Sequence, residues 1–460
     1  MPTPLLPRAA TRRALLAAVA ALAGSGLLPH AEDTRAKTHK RKHKRSARAE
    51  HNVRGKKAIL CVDGVTRHVA KRARKRYLKQ GATRGKCPGG CIPDSDSATC
   101  ATADICGDVT NNCGQPVTCG CATGQLCCGG ACTATVSWAS QVRFGAEGSG
   151  GSQFDALNSL AVAADTLTIW VADTSNGRVS IWTRPNATST AWSNATTFGS
   201  AGSGGSDFSY PNGVAISEDT LTAWIADTIN NRISVWARPN ASSTAWSNVT
   251  AFGSIGSGAS NFTTPFSVDI APDTLTAWIA DAFNNRVSIW TRPDIASTVW
   301  ANATTFGSGP GSGASQFNTP TGVALSEDTL TAWVADSGNN RISVWTRLTA
   351  SSTSWSNQTT FGSSGSGASN FSSPQAVALS EDTLTAWVAD TNNDRVSIWT
   401  RPTASSTAWA NATTFGSGPG SGNDQFINPG GVAISPDGLT AWIADTGNDR
   451  VSIWAAVCPV

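Results

Sequence analysis

Histidine stops at His68, lysine stops at Lys86, and no cysteine lies between Cys132 and Cys458. Most of the chain therefore lacks the side chains that run acid–base chemistry near neutral pH or hold zinc. No Gly-x-Ser-x-Gly elbow joins a strand to a helix, which removes that route to a serine nucleophile. Beyond Leu28 no apolar run is long enough to cross a bilayer. Basic charge is scarce where acids are common. Of 35 Lys and Arg, 23 precede Cys87, where they face four acids and leave a net charge of +19. The remainder carries 12 Arg and 27 acids, a net charge of −15. The overall +4 conceals a basic head joined to an acidic body.

The head contains TRRALLAAVAALAGSGLL, Thr11 to Leu28. A twin Arg ahead of a short Ala/Gly-rich apolar run reads as a secretory signal. Its Thr-Arg-Arg-x-Leu-Leu order resembles the twin-arginine export signal of bacteria. Residues 1–31 are assigned to it, with cleavage near Ala31, which places the mature protein outside the cell or at its envelope. Residues 32–86 form a basic linker, too charged to bury apolar surface, with a short basic helix over 66–80. The linker is either a solvated tether or an adhesive for an anionic envelope polymer.

Eleven of the 12 Cys fall between Cys61 and Cys132. In an exported chain the dense stretch 87–132 reads as a disulfide-stapled minidomain, because so short a segment cannot build a sufficient core. Zinc suits it poorly: no His lies among these Cys, and their spacings do not pair as two C-x2-C knuckles. The Gly-rich spacing resembles small extracellular Cys-rich modules, some of which bind carbohydrate.

From Phe144 onward the chain repeats. The Phe of a Phe-Gly pair recurs at Phe144, Phe198, Phe252, Phe306, Phe361 and Phe415. An Asp recurs at Asp173, Asp227, Asp281, Asp336, Asp390 and Asp445, and an Arg five residues later at Arg178, Arg232, Arg286, Arg341, Arg395 and Arg450. Each unit holds four strand-like runs; in the second they are Gly213–Ser217, Leu221–Asp227, Arg232–Arg238 and Ala245–Phe252. Asn-rich turns suit the positive φ of tight hairpins. Six such units describe an all-β, six-bladed β-propeller of four-stranded antiparallel blades over 133–460. The pattern P-x-G-V-A-x-S-x-D-x-L followed by W-I-A-D-T-x-N-N-R-I-S-V-W resembles the NHL repeat, of a secreted bacterial type with an N-terminal Cys-rich segment. Its first copy is the most degenerate, with Leu157 for the Pro and Ser159 for the Gly.

All 18 Trp lie at or after Trp138, three to a unit, but the sixth unit has only Trp442 and Trp454 before the chain ends. The segment around Trp138 reads like a fourth strand. A strand over 134–145 should therefore close the last blade, leaving no free edge inside the ring. Cys458 follows Trp454 by four residues and Cys132 precedes Trp138 by six, so both map to one loop position of an uncut unit. A Cys132–Cys458 disulfide is expected there, contributing about 5 kcal/mol in the chain-entropy account.

The Asp–Arg pair recurs in every unit, so it reads as a structural hinge; a catalytic centre should break the symmetry. One residue does. Asp269 stands where the other units have Ala161, Ala215, Ala324, Ala378 and Ala433. It falls on the first strand, which lines the channel of a propeller, with Asn158 and Asn212 on the adjacent units and Phe266 at their position in its own. One carboxylate and two amides suit a hard cation such as Ca²⁺. The plainer alternative is a hydrated acid in a wet channel, with no cofactor.

The resemblance brings in a zinc-dependent amidating lyase, streptogramin lyases that use His, Ca²⁺-dependent lactonases and RNA binders. The lack of ring His argues against the first two. After Cys132 there are 12 Arg against 23 acids, which argues against nucleic acid. The sequence thus leads to a secreted or cell-surface binding or adhesion scaffold presenting Gly/Ser-rich loops to a protein or glycan, with no catalytic residue assigned. The alternative is a Ca²⁺-dependent lactonase- or esterase-like hydrolase working in the channel. Asn-x-Ser/Thr sequons such as Asn194, Asn248 and Asn302 reflect loop composition.

Overall fold

The computed structural model describes residues 137–457 throughout and, before them, the backbone of seven short strands between Ala58 and Thr133. The chain divides into two units, residues 1–94 with 112–115 and residues 95–111 with 116–460. In the first, Val65–Val69, Ala58–Val62 and Thr83–Arg84 form an antiparallel sheet in that order. This corrects the expected helix over 66–80, whose first four residues lie in a strand. Val65, Thr66 and Val69 are β-branched and favour extended backbone, and AILCV supplies a paired partner. The same hairpin places residues 58–62 and 65–69 of the linker in regular structure. The export segment 1–31 lies outside the described residues. In the second unit, two hairpins, Gly107–Thr110 with Pro116–Cys119 and Leu126–Cys128 with Ala131–Thr133, precede the repeats.

Six four-stranded antiparallel sheets then follow, each running from channel to rim. Blade 2 shows the pattern: Pro211–Ile216, Thr222–Asp227, Arg232–Ala237 and Ser247–Phe252. The second strand, TAWIAD, is buried from its second residue to its last. Neighbouring blades cover both of its faces, so its apolar run is nearly continuous. The fourth strand alternates exposed and half-buried residues, as a rim strand must. At the hub the first strands crowd together. A Cβ on Gly213 would lie 2.8 Å from the Phe266 carbonyl oxygen and the Ser267 Cα, so glycine is what lets blade 2 approach blade 3.

Aromatic rings join one blade to the next. Phe252 on the rim strand of blade 2 stacks on Trp300 of blade 3 at 5.0 Å, tilts against Trp290 at 4.9 Å and meets Phe262 at 6.3 Å. Each pair contributes about 0.5–1.5 kcal/mol beyond the area it buries. The following Gly253, at φ 89°, would place a Cβ 2.2 Å from the Phe262 ring. This explains the fixed Phe-Gly pair.

The ring closes as the Trp count requires. Blade 6 runs Pro429–Ile434, Thr440–Asp445, Arg450–Val457 and then Ser137–Phe144. Ala456 pairs with Trp138 and Val457 with Ser137. Trp138 stacks on Phe415 of blade 5 at 5.2 Å, and Phe144 stacks on Trp192 of blade 1 at 5.4 Å. The borrowed strand thus repeats the packing of every other rim strand. Cys458 lies outside the described residues.

Candidate functional site: the loop face and the central channel

The turn between second and third strands begins with a buried carboxylate. Asp281 is fully buried and accepts hydrogen bonds from the Thr263 N–H at 2.7 Å, Asn284 Nδ2 at 2.8 Å and Arg286 Nε at 2.8 Å. Burial pushes its pKa up, and these donors oppose that shift. Arg286 then reaches over the Gly/Ser loop, donating to the carbonyls of Ser257, Gly258 and Asn261 at 3.0, 2.8 and 2.7 Å. Asn285 closes the turn at φ 53°, an Asn in the left-handed region as the sequence suggested. Every blade repeats the Asp–Arg contact, at 2.6–2.8 Å. These pairs spend their charge on holding loop and turn together on one face.

The residue after the Asp ties blades to one another, a role the sequence did not signal. Thr228 Oγ1 donates to the Pro265 carbonyl of blade 3 at 2.8 Å, and Thr174 does the same to Pro211. Asn231 Oδ1 accepts from the Thr264 N–H at 2.9 Å, so the turn of blade 2 abuts the entry to blade 3.

The channel is a cavity of about 280 Å³ lined by the first strands of all six blades. The structure brings two of the three expected residues together and leaves the third apart. Asn158 Nδ2 donates to Asn212 Oδ1 at 3.0 Å, and Asn212 Nδ2 donates to Thr228 Oγ1 at 2.9 Å. Both amides sit at the start of their strands. Asp269 lies three residues further along than Phe266, their counterpart in blade 3, or about 10 Å of extended chain. Its two carboxylate oxygens accept the N–H groups of Ile270 at 2.8 Å and of Leu325, on blade 4, at 3.0 Å. Ca²⁺ takes six to eight oxygen ligands, about twice what these three side chains offer, and they do not converge. This donor set does not fit the cation. Enclosure by the strands desolvates Asp269 and raises its pKa to about 6, against those two N–H donors.

The face itself varies from blade to blade. At the second residue after the buried Asp stand Ser175, Ile229, Phe283, Gly338, Asn392 and Gly447. Ile229 and Phe283 are more than half exposed, as are Tyr210 and Ile255. On blades 6 and 1, Asp449, Asp155 and Glu147 are neighbours; burial first, then repulsion from the other two, pushes Asp449 up, against the Ala156 N–H. Asn248 and Asn302 lie on rim strands, donating to Ser234 and Ser288 hydroxyls at 2.8 and 2.9 Å.

A closed ring of blades, each fastened by an Asp–Arg hinge, defines a β-propeller with a repeated structural turn. The NHL repeat family model matches residues 317–345, which span the first three strands of blade 4. With the same motif in all six blades, the chain is an NHL-repeat propeller protein. No curated protein matches it. Among solved structures it is similar to a periplasmic gluconolactonase of Pseudomonas aeruginosa (16% identity, 69% of this chain and 92% of that chain, TM-score 0.45). It is also similar to a functionally unknown protein of Desulfotomaculum acetoxidans (14% identity, 62% and 78%, TM-score 0.44) and to hydrazine synthase of Kuenenia stuttgartiensis (13% identity, 65% and 95%, TM-score 0.43). Likeness at this level carries no information on activity.

Proposed function

We propose that the protein is a secreted or cell-surface binding scaffold whose loop face takes a protein or glycan partner. The observation that supports this most is the division of labour within each blade. The Asp, Asn and Arg of the turn are constant and engaged, whereas the exposed tip beside them changes from blade to blade. A fixed frame with variable tips is what a recognition surface requires. Export rests on the twin-Arg segment and the Cys density. Among the described residues no helix is long and apolar enough to cross a membrane. The basic linker would hold the protein to an anionic polymer by charge alone.

The test is to offer the purified full chain to glycan arrays and peptide libraries, beside assays of lactone and ester hydrolysis with and without Ca²⁺. Saturable binding without turnover is expected. Metal-dependent turnover abolished by Asp269→Ala would overturn the scaffold reading in favour of the hydrolase.

A further inference from the structure

Exposed apolar bulk on the loop face is gathered in one sector. Ile229 is 56% exposed and Tyr210 is 54% exposed, and the Ile229 N–H bonds the Ser209 carbonyl at 3.1 Å, so the two belong to one corner of blade 2. Phe283 and Ile255 are 62% and 73% exposed and belong to the corresponding corner of blade 3, where Asn284 Nδ2 holds the Gly256 carbonyl at 2.9 Å. The Asn231–Thr264 contact joins the corners. Phe266 extends the apolar surface to the channel mouth.

The backbone does not demand these side chains. In blade 5 the positions of Tyr210, Ile229 and Ile255 are held by Ser373, Asn392 and Ser364, on the same turns, and Asn392 is likewise the counterpart of Phe283. Folding is thus compatible with polar residues at all four, yet water faces four large apolar groups here. Such a cluster marks an interaction site.

The charge beside it gives the partner's chemistry. Blade 1 presents exposed Glu147 and Asp155, and blade 6 adds Asp424 and Asp449. Every hinge Arg of this face is already committed to its Asp and to loop carbonyls. The free charge of the face is therefore negative, and its blade 1 acids adjoin the apolar sector, blade 1 being tied to blade 2 by the Thr174–Pro211 hydrogen bond.

We propose that the loop face of blades 2 and 3 docks a peptide segment of another protein, one presenting a bulky apolar residue beside Lys or Arg. The apolar residue sits among Ile229, Ile255, Phe283 and Tyr210, and the basic residue points toward blade 1. This rests on the scaffold reading and narrows it to one partner class and one sector.

The experiment selects a random 12-residue peptide display library on the intact protein and measures the affinity of recovered peptides. Recovered sequences should share an aromatic or large aliphatic residue next to Lys or Arg. Phe283→Asn and Ile229→Asn, each installing the residue found in blade 5, should weaken binding about tenfold or more. The double variant Glu147→Gln with Asp155→Asn should weaken it several-fold and flatten its dependence on salt. Circular dichroism and thermal unfolding should match the parent, since the new side chains already occur on the same turns. Peptides whose binding ignores both sets of substitutions would overturn the assigned sector and leave the scaffold reading standing. Recovery of no peptide, with saturable binding on a glycan array instead, would overturn the peptide assignment alone. No binding of either kind would remove both.

Discussion

Five β-branched residues hold positive φ in the turn between first and second strands: Thr166, Thr220, Thr274, Thr329 and Thr383, all near 60°. This conformation is costly for threonine. An Arg two residues past the third-strand Trp compensates. Arg292 donates from Nε to the Thr274 carbonyl at 2.9 Å and from Nη2 to its hydroxyl at 3.0 Å, while its guanidinium covers Trp300 at 5.2 Å. Blade 6 has Ala456 in place of the Arg, and there the turn residue is Gly438 at φ 72°. The two positions behave as a pair. Arg292→Ala should cost about 2–3 kcal/mol through the lost hydrogen bonds, and adding Thr274→Gly should recover about 1 kcal/mol. A double-mutant cycle by denaturant unfolding measures the coupling; simple additivity would refute it.

Asp269 makes a pH prediction at the same scale. Its folded value of about 6 lies above the ordinary 3.8, so the native state holds this proton more tightly than the unfolded chain. The resulting stability is complete below pH 3.8 and is lost as pH rises through 6. Asp269→Ala restores the residue of the other five blades and should remove that loss. The variant should gain up to about 3 kcal/mol relative to the parent between pH 4 and 7.5, read from paired unfolding curves. A constant difference across that range would show that Asp269 is not held as described.

At the scale of the element, the hinge module sets the shape of the Gly/Ser loops. Arg286 needs its planar fork to reach Asp281 and three loop carbonyls together. Lysine is a point charge and cannot do so. Arg286→Lys should cost about 2 kcal/mol and speed amide exchange over residues 254–262 while leaving the loops of other blades unchanged. Unchanged exchange there would mean the loop holds itself.

The elements differ in how legible they were. The second strand could be read directly, because burial on both faces leaves an apolar run of strand length. The rim strand Ser137–Phe144 could be read because its Trp filled a gap in a count of three per blade. The threonine turns could not, since the Arg that stabilises Thr274 lies 18 residues on and leaves no local signature. Asp269 stood out against five alanines, but its bond to the Leu325 N–H belongs to another blade, so a cation ligand or a hydrated acid was expected where a strand clamp exists. The basic stretch 66–80 looked helical by charge and composition, yet at Val65–Val69 β-branched residues with a pairing partner prevail.

For the whole molecule, closure is the property on which the rest depends. The cut ends meet where Val457 pairs with Ser137, close in sequence to both Cys458 and Cys132. The hairpin register also sets Cys127 opposite Cys132, which offers a rival partner. Peptide mapping under non-reducing conditions should find Cys132 joined to Cys458; a Cys127–Cys132 fragment or a free Cys458 thiol would refute that crosslink without opening the ring. Closure also fixes the loop face as one surface, with blade 6 held beside blade 1 and blade 1 beside blade 2.

Native-state hydrogen exchange on the full chain tests closure most directly. Peptides covering Ser137–Phe144 should exchange as slowly as those covering the equivalent rim strand Ser247–Phe252, and both should be released together on unfolding. Rapid exchange at 137–144 with protection kept at 247–252 would show an open array, and the account of the ring would fail.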